Sequence, residues 1–109
     1  MSTQTPISPD EIVTISQVRP KPGQLGSFVE IQTAFQQNVA SEIDGLIGGR
    51  LLIAEDGQSL VIMARFRSNA DLEKWTHSAR FGEHMARVRP MLEPPSPGRF
   101  HVLYQSGTV

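Results

Sequence analysis

The chain has 109 residues, the size of one domain with one real core. Hydrophobic residues make up 39%, and 10 Lys and Arg against 11 Asp and Glu leave a formal charge of −1. That composition excludes a disordered or strongly nucleic-acid-binding chain. With no cysteine there are no disulfides, thiolate metal sites or cysteine nucleophiles.

No apolar run approaches the ~20 residues that span a bilayer. Neither a membrane nor nucleic acid is therefore expected as a partner, and a cytoplasmic setting fits. MSTQTPISPDE lacks the basic start and apolar core of a secretory signal. Residues 1–10 read as a flexible, proline-punctuated tail before a single domain over 11–109.

EIVTISQVR, residues 11–19, is β-branched and alternating, which predicts a strand ended by Pro20, Pro22 and Gly23. From Gln24, the spacing of Leu25, Phe28, Ile31, Phe35 and Val39 predicts a helix with one buried face. Gln24, Ser27, Glu30, Gln37 and Ser41 take its wet side, and Asp44-Gly45 ends it. GLIGGRLLIAEDGQSLVIMARFR, residues 45–67, reads as two strands around Asp56-Gly57 in a type I′ hairpin. Gly48 and Gly49 suggest a bulge or a close backbone approach in its first arm. Ser68 with Asp71 three residues later is a capping-box-like helix start. A connector, PMLEPPSPG (90–98), leads to a last strand, RFHVLYQ (99–105).

The order β-α-β-β-α-β predicts a ferredoxin-like α+β fold, a four-stranded antiparallel sheet with helices on one face. The other face would show Val13, Ile15, Leu52, Val61 and Met63 to water. A patch that apolar predicts a homodimer joined sheet to sheet. Parity puts Arg50 and Arg65 on this face, where an arginine is expected to meet a carboxylate across the two-fold, such as Glu55.

EKWTHSARFGEHMARV, residues 73–88, holds the only tryptophan and two of the three histidines. Leu72 and Trp75 share one helical face; Phe81, Met85, Val88 and Leu92 share another, about 120° away. One straight helix cannot bury both well, so the phase jump predicts a kink or a break near Thr76–Arg80. His77 falls about 160° from Trp75 and faces solvent. His84 lies at the border of the buried face, either as a satisfied side chain or as a base or ligand in a pocket. In an unbroken helix Trp75 and His84 point about 180° apart; with the break they can line one cavity.

The strand with RPKPG, the Gly45-Leu46 step, the DG hairpin and RFRSNADLEKWTHSARFGEHMARVRP resemble the antibiotic biosynthesis monooxygenase superfamily over about residues 11–105. Members usually end the third strand with W-x-S and follow with S-x-x-F; here stand Phe66-Arg67-Ser68 and Ser78-Ala79-Arg80-Phe81. The resemblance implies a dimeric α+β barrel with a pocket between sheet and helices. It also implies oxidation of a small aromatic or quinol-type, polyketide-like compound by O₂ without a cofactor or metal, as in polyketide anthrone oxygenases. Where those carry tyrosine, asparagine, tryptophan and tyrosine, alignment on the DG turn gives Leu51, Ile62, Phe66 and Leu72.

Similarity to haem-degrading members implies an alternative: Trp75 and His84 match their tryptophan–histidine spacing, and Ser16 stands at their asparagine position. The expected site thus has His84 as base. Thr14, Ser16, Leu51, Ile62, Phe66, Leu72, Trp75 and Phe81 form walls suited to a flat aromatic guest. The same walls equally describe a packed core, and then the chain is a dimeric binding module without turnover. His101 and Tyr104 can hydrogen-bond, but their spacing selects no role.

Overall fold

The computed structural model describes residues 9–107. Most of the expected N-terminal tail, residues 1–8, lies outside the described residues. Strand β1 (Ile12–Val18) leads to helix α1 (Leu25–Val39), then to strands β2 (Leu46–Ile53) and β3 (Leu60–Phe66). Helices α2 (Asn69–Thr76) and α3 (Ala79–Val88) follow, and β4 (Ser96–Phe100) closes the order. All pairings are antiparallel in the order β2-β3-β1-β4, so β1 and β3 lie at the centre. This is the ferredoxin-like α+β fold.

Even-numbered residues of β1 and β3 face the helices. Val18 and Leu60 join Phe28, Val88 and Leu92 in one cluster, with Leu51 and Ile62 packed against it. Ile12, Phe66 and Leu72 form a second cluster with Ile43, Leu46, Ala64 and Trp75. Full burial of a side chain such as Phe28, Phe66 or Val88 contributes about 1.5–3 kcal/mol.

The expected single helix after Ser68 is two. Ser68 caps α2 by accepting from the Asp71 N–H at 3.2 Å. The break falls at His77–Ser78, inside the interval the phase jump predicted. Ser78 caps α3 by accepting from the Phe81 N–H at 3.2 Å and donates to the Trp75 carbonyl at 2.7 Å.

Three local expectations differ from the structure. The hairpin is not a two-residue type I′ turn. Asp56 keeps negative φ, its carboxylate accepts from the Gln58 N–H, and only Gly57 is left-handed at +73°. Ala54 and Ser59 close the loop instead, through the Ala54 N–H and Ser59 carbonyl. The last strand is Ser96–Phe100 rather than 99–105. Pro97 fits there because β4 is an edge strand with β1 as its partner, so a missing N–H need break no ladder. Arg65 finds its carboxylate within its own chain: Nε and Nη2 each donate to Glu11 at 2.9 Å, not to Glu55 of a second copy. The bulge does fall at the glycines, where the β2–β3 register shifts between Leu46 and Gly48.

The sheet face away from the helices carries Ile15, Val61, Met63, Leu52 and Phe100, partly to half exposed. Val13, expected on the open face, is 8% exposed. It shares the wall of a hollow of about 370 Å³ with Met63, Arg65, Val102 and Tyr104, so the chain after β4 returns over this end.

Gly45 is needed twice. It has φ +83°, and a Cβ there would lie 2.4 Å from the Asp71 Cγ. Gly82, inside α3, has open space where a Cβ would go. Urea unfolding should therefore separate the two: Gly45→Ala loses more than about 1 kcal/mol, whereas Gly82→Ala gains about 0.5–1 kcal/mol. Equal effects would contradict this packing.

Candidate functional site

Phe28, Gln32, Phe35 and Val39 fall on one stripe of α1, spaced by four, three and four residues. Three are buried, and one of those is polar: Gln32 is 5% exposed. Its partner is His84 of α3, 8% exposed, whose Nε2–H donates to Gln32 Oε1 at 2.7 Å. The amide nitrogen of Gln32 donates to Gln36 Oε1 at 3.3 Å, which orients the amide with its oxygen toward the imidazole.

The His84 ring lies on Phe35, with centroids 3.7 Å apart and planes 12° from parallel. Phe35 is 6.0 Å from Trp75, and Trp75 meets Phe81 edge-on at 5.6 Å. The break at Ser78 thus brings Trp75, Phe81 and His84 into one aromatic cluster, with Phe35 as the link from α1. Burial holds the imidazole below its ordinary titration value, and the charge of Arg87 acts in the same direction. His84 is therefore neutral at neutral pH and has one nitrogen with a free lone pair, Nδ1.

Beside this cluster is a cleft of about 330 Å³ between the end of α1 and α2–α3. Trp75, Val39 and Ile43 supply its apolar wall, with Ser78 beside them. Its charged residues are paired across it: Arg80 with Glu42 at 2.6 Å, and Lys74 with Asp44 at 3.7 Å. Arg67 joins Asp71 at 3.2 Å and, with help from the Ser68 hydroxyl, holds that carboxyl below its ordinary value. Arg99 of β4 anchors α2 through Asn69 and Glu73, and lowers the Glu73 carboxyl likewise.

The residues expected to line a pocket are distributed unevenly. Trp75 lies on the cleft wall and Phe81 in the aromatic cluster. Thr14 and Ser16 are half-buried on the helix-facing side of β1, where their strand parity puts them. Leu51 and Ile62 pack into the first core cluster, while Phe66 and Leu72 belong to the second. His77 is exposed and turned back on its own helix through the Glu73 carbonyl. His101 contacts the Glu11 carbonyl, and Tyr104 is largely exposed.

Gln32 was missed by the sequence reading. The signal was present, because it sits four residues after Phe28 and three before Phe35. Among the described residues no group of three or more His, Cys, Asp and Glu is placed to hold a metal ion. Haem does not fit His84 either. Nε2 already donates to Gln32, and one ring face is covered by Phe35.

Comparison with solved structures gives the same architecture. Rv0793 of Mycobacterium tuberculosis has a TM-score of 0.79 at 21% identity, with 89% of this chain and 99% of that one covered. SnoaB, a cofactor-independent oxygenase from Streptomyces nogalater, has a TM-score of 0.80 at 16% identity, with coverage of 88% and 96%. Protein SO0527 of Shewanella oneidensis has a TM-score of 0.78 at 15% identity, with coverage of 89% and 95%. No curated protein matches the sequence significantly. The family profile described as antibiotic biosynthesis monooxygenase matches residues 11–87, and the chain belongs to that family.

Proposed function

We propose that the protein is a cofactor-independent monooxygenase acting on a small aromatic or quinol-type compound, with His84 as the base. The carrying observation is the buried, neutral imidazole of His84, held by Gln32 inside the Phe35–Trp75–Phe81 cluster beside a cleft. A general base works best when its neutral form prevails at the working pH, and burial secures that here.

The substrate enters along the cleft against Trp75 and must pass the Trp75 and Phe81 rings to reach His84, which does not itself line the cleft. Its acidic carbon, flanked by aromatic rings, gives a proton to His84. The resulting anion passes one electron to O₂, and the radical pair joins to form a carbon-bound peroxide. His84 returns its proton to the peroxide. The second hydrogen then leaves the same carbon as a proton, and its electron pair forms the C=O bond as the O–O bond breaks. The departing hydroxide takes up that proton as water. A CH₂ becomes a carbonyl, and its four electrons reduce O₂, so no outside reductant is required. The similarity to SnoaB, by its description a cofactor-independent oxygenase, supports this reading.

The apolar residues on the open sheet face support a second part of the proposal, that the protein works as a homodimer through this face. Ile15, Val61, Met63 and Leu52 would then be covered. Light scattering after size exclusion should give twice the chain mass, and a stable monomer would refute the dimer.

Activity is read as O₂ uptake with an anthrone or a hydroquinone. Wild-type protein should consume O₂, and His84→Ala should lose about 10²-fold or more of kcat. Unchanged uptake in that variant would remove His84 as the base. The pH dependence has a definite sign. Since the His84 value is lowered, uptake should stay level through neutrality and decline only on acidification below the ordinary histidine range. Hemin titration should give no Soret shift that depends on His84.

A further inference from the structure

Gln32 is a polar side chain on an otherwise apolar stripe, and helix α1 would bury a leucine there at no desolvation cost. Its position calls for a reason beyond packing. We propose that Gln32 is a positioning residue that locks His84 in the Nε2–H tautomer, so that Nδ1 is the atom that takes the proton. This rests on the reading of His84 as the base.

The geometry carries the assignment. A glutamine amide oxygen can only accept, so the 2.7 Å contact requires the proton to be on Nε2. Turning the amide over alone would cost its donation to Gln36 Oε1 and set its nitrogen against the imidazole. Phe35 fixes the ring plane by stacking at 3.7 Å, which leaves the in-plane direction at Nδ1 open to definition by the fold. A neutral imidazole in water exchanges its proton between both nitrogens. Here one nitrogen is reserved as donor and the other as acceptor before any substrate arrives.

A consequence for ligand class follows. Nδ1 is bonded to Cγ, the ring atom next to Cβ, so a group approaching it comes nearer the main chain of α3 than one approaching Nε2. A single C–H or O–H at the edge of a small aromatic ring fits this demand. A broad macrocycle standing across the imidazole would meet the helix. Of charged groups, Arg87 on α3 acts on the ring; the α1 side chains in contact with it, Gln32 and Phe35, carry no charge.

The test combines a spectroscopic and a kinetic measurement on the full chain. Long-range proton–nitrogen NMR of the ring should show wild-type His84 protonated at Nε2 and bare at Nδ1. In Gln32→Leu the ring should lose that single tautomer, and kcat for O₂ uptake should fall about 10²-fold with KM little changed. Gln32→Glu keeps an acceptor on Nε2, so it should restore the tautomer and much of kcat. Its carboxylate should move the acid limb of the profile to higher pH.

A wild-type ring protonated at Nδ1 overturns the proposal, and so does a Gln32→Leu variant with an unchanged tautomer. If Gln32→Leu does not fold, the Gln32→Glu shift of the acid limb decides alone, and its absence counts against the proposal. His84→Ala separates the two levels. Full uptake in that variant removes the base, whereas the NMR result reports on Gln32 whatever the uptake shows.

Discussion

The Ser78 hydroxyl is the hinge of the arrangement. It donates to the Trp75 carbonyl at the end of α2 and accepts from the Phe81 N–H at the start of α3. An unbroken helix through this point would aim Trp75 and His84 in opposite directions. The interruption resets the phase, so α2 turns Leu72 and Trp75 toward the second core cluster while α3 turns Phe81, His84 and Val88 inward. Both halves are short, 8 and 10 residues, below the length at which isolated helices are stable. Their serine caps and their packing must hold them, and a capping hydroxyl is worth about 1 kcal/mol.

The break itself was legible in the sequence because Trp75 and Phe81 are six residues apart, a spacing that one helix face does not accommodate. Element order was legible for the same reason: period-2 and period-3.6 patterns alternate along the chain with clear punctuation. Long-range partners were not. Glu11 and Arg65 are 54 residues apart, and parity alone suggested a partner across a two-fold instead of one on the neighbouring strand. Gln32 was hidden by its residue type, since glutamine in a helix usually marks the wet side. Proline misled at β4, where an edge strand admits what a central strand would reject.

The buried polar groups sharpen the distinction between site and core. Glu11 is satisfied by Arg65, and Ser59 lies at the hairpin, its carbonyl tied to Ala54. Gln32 and His84 instead face each other between α1 and α3, away from the sheet edges. One hydrogen bond between neutral groups adds only about 1 kcal/mol net, whereas removing one partner strands the other at a cost of about 1–3 kcal/mol. Two apolar side chains of similar volume would fill the same space as well or better. Stability therefore gives little reason for this pair, whereas orientation of a titratable ring gives a direct one.

The same contrast explains how the proposed chemistry can survive the apolar sheet. The positions that the family resemblance assigns to pocket tyrosines, asparagine and tryptophan are Leu51, Ile62, Phe66 and Leu72, and all four pack in the core clusters. An oxygenase that steadied its substrate anion from those four positions would have no donors there. In the proposed site the polar groups come instead from the roof, where α1 contributes Gln32 and α3 contributes His84. In the proposed reading, a base on the helices facing largely apolar strands would remove a proton in surroundings that favour a dispersed charge. Such a site suits a carbon acid whose anion spreads over several rings. A localised oxyanion would have only the Thr14 and Ser16 hydroxyls of β1 to meet on that floor.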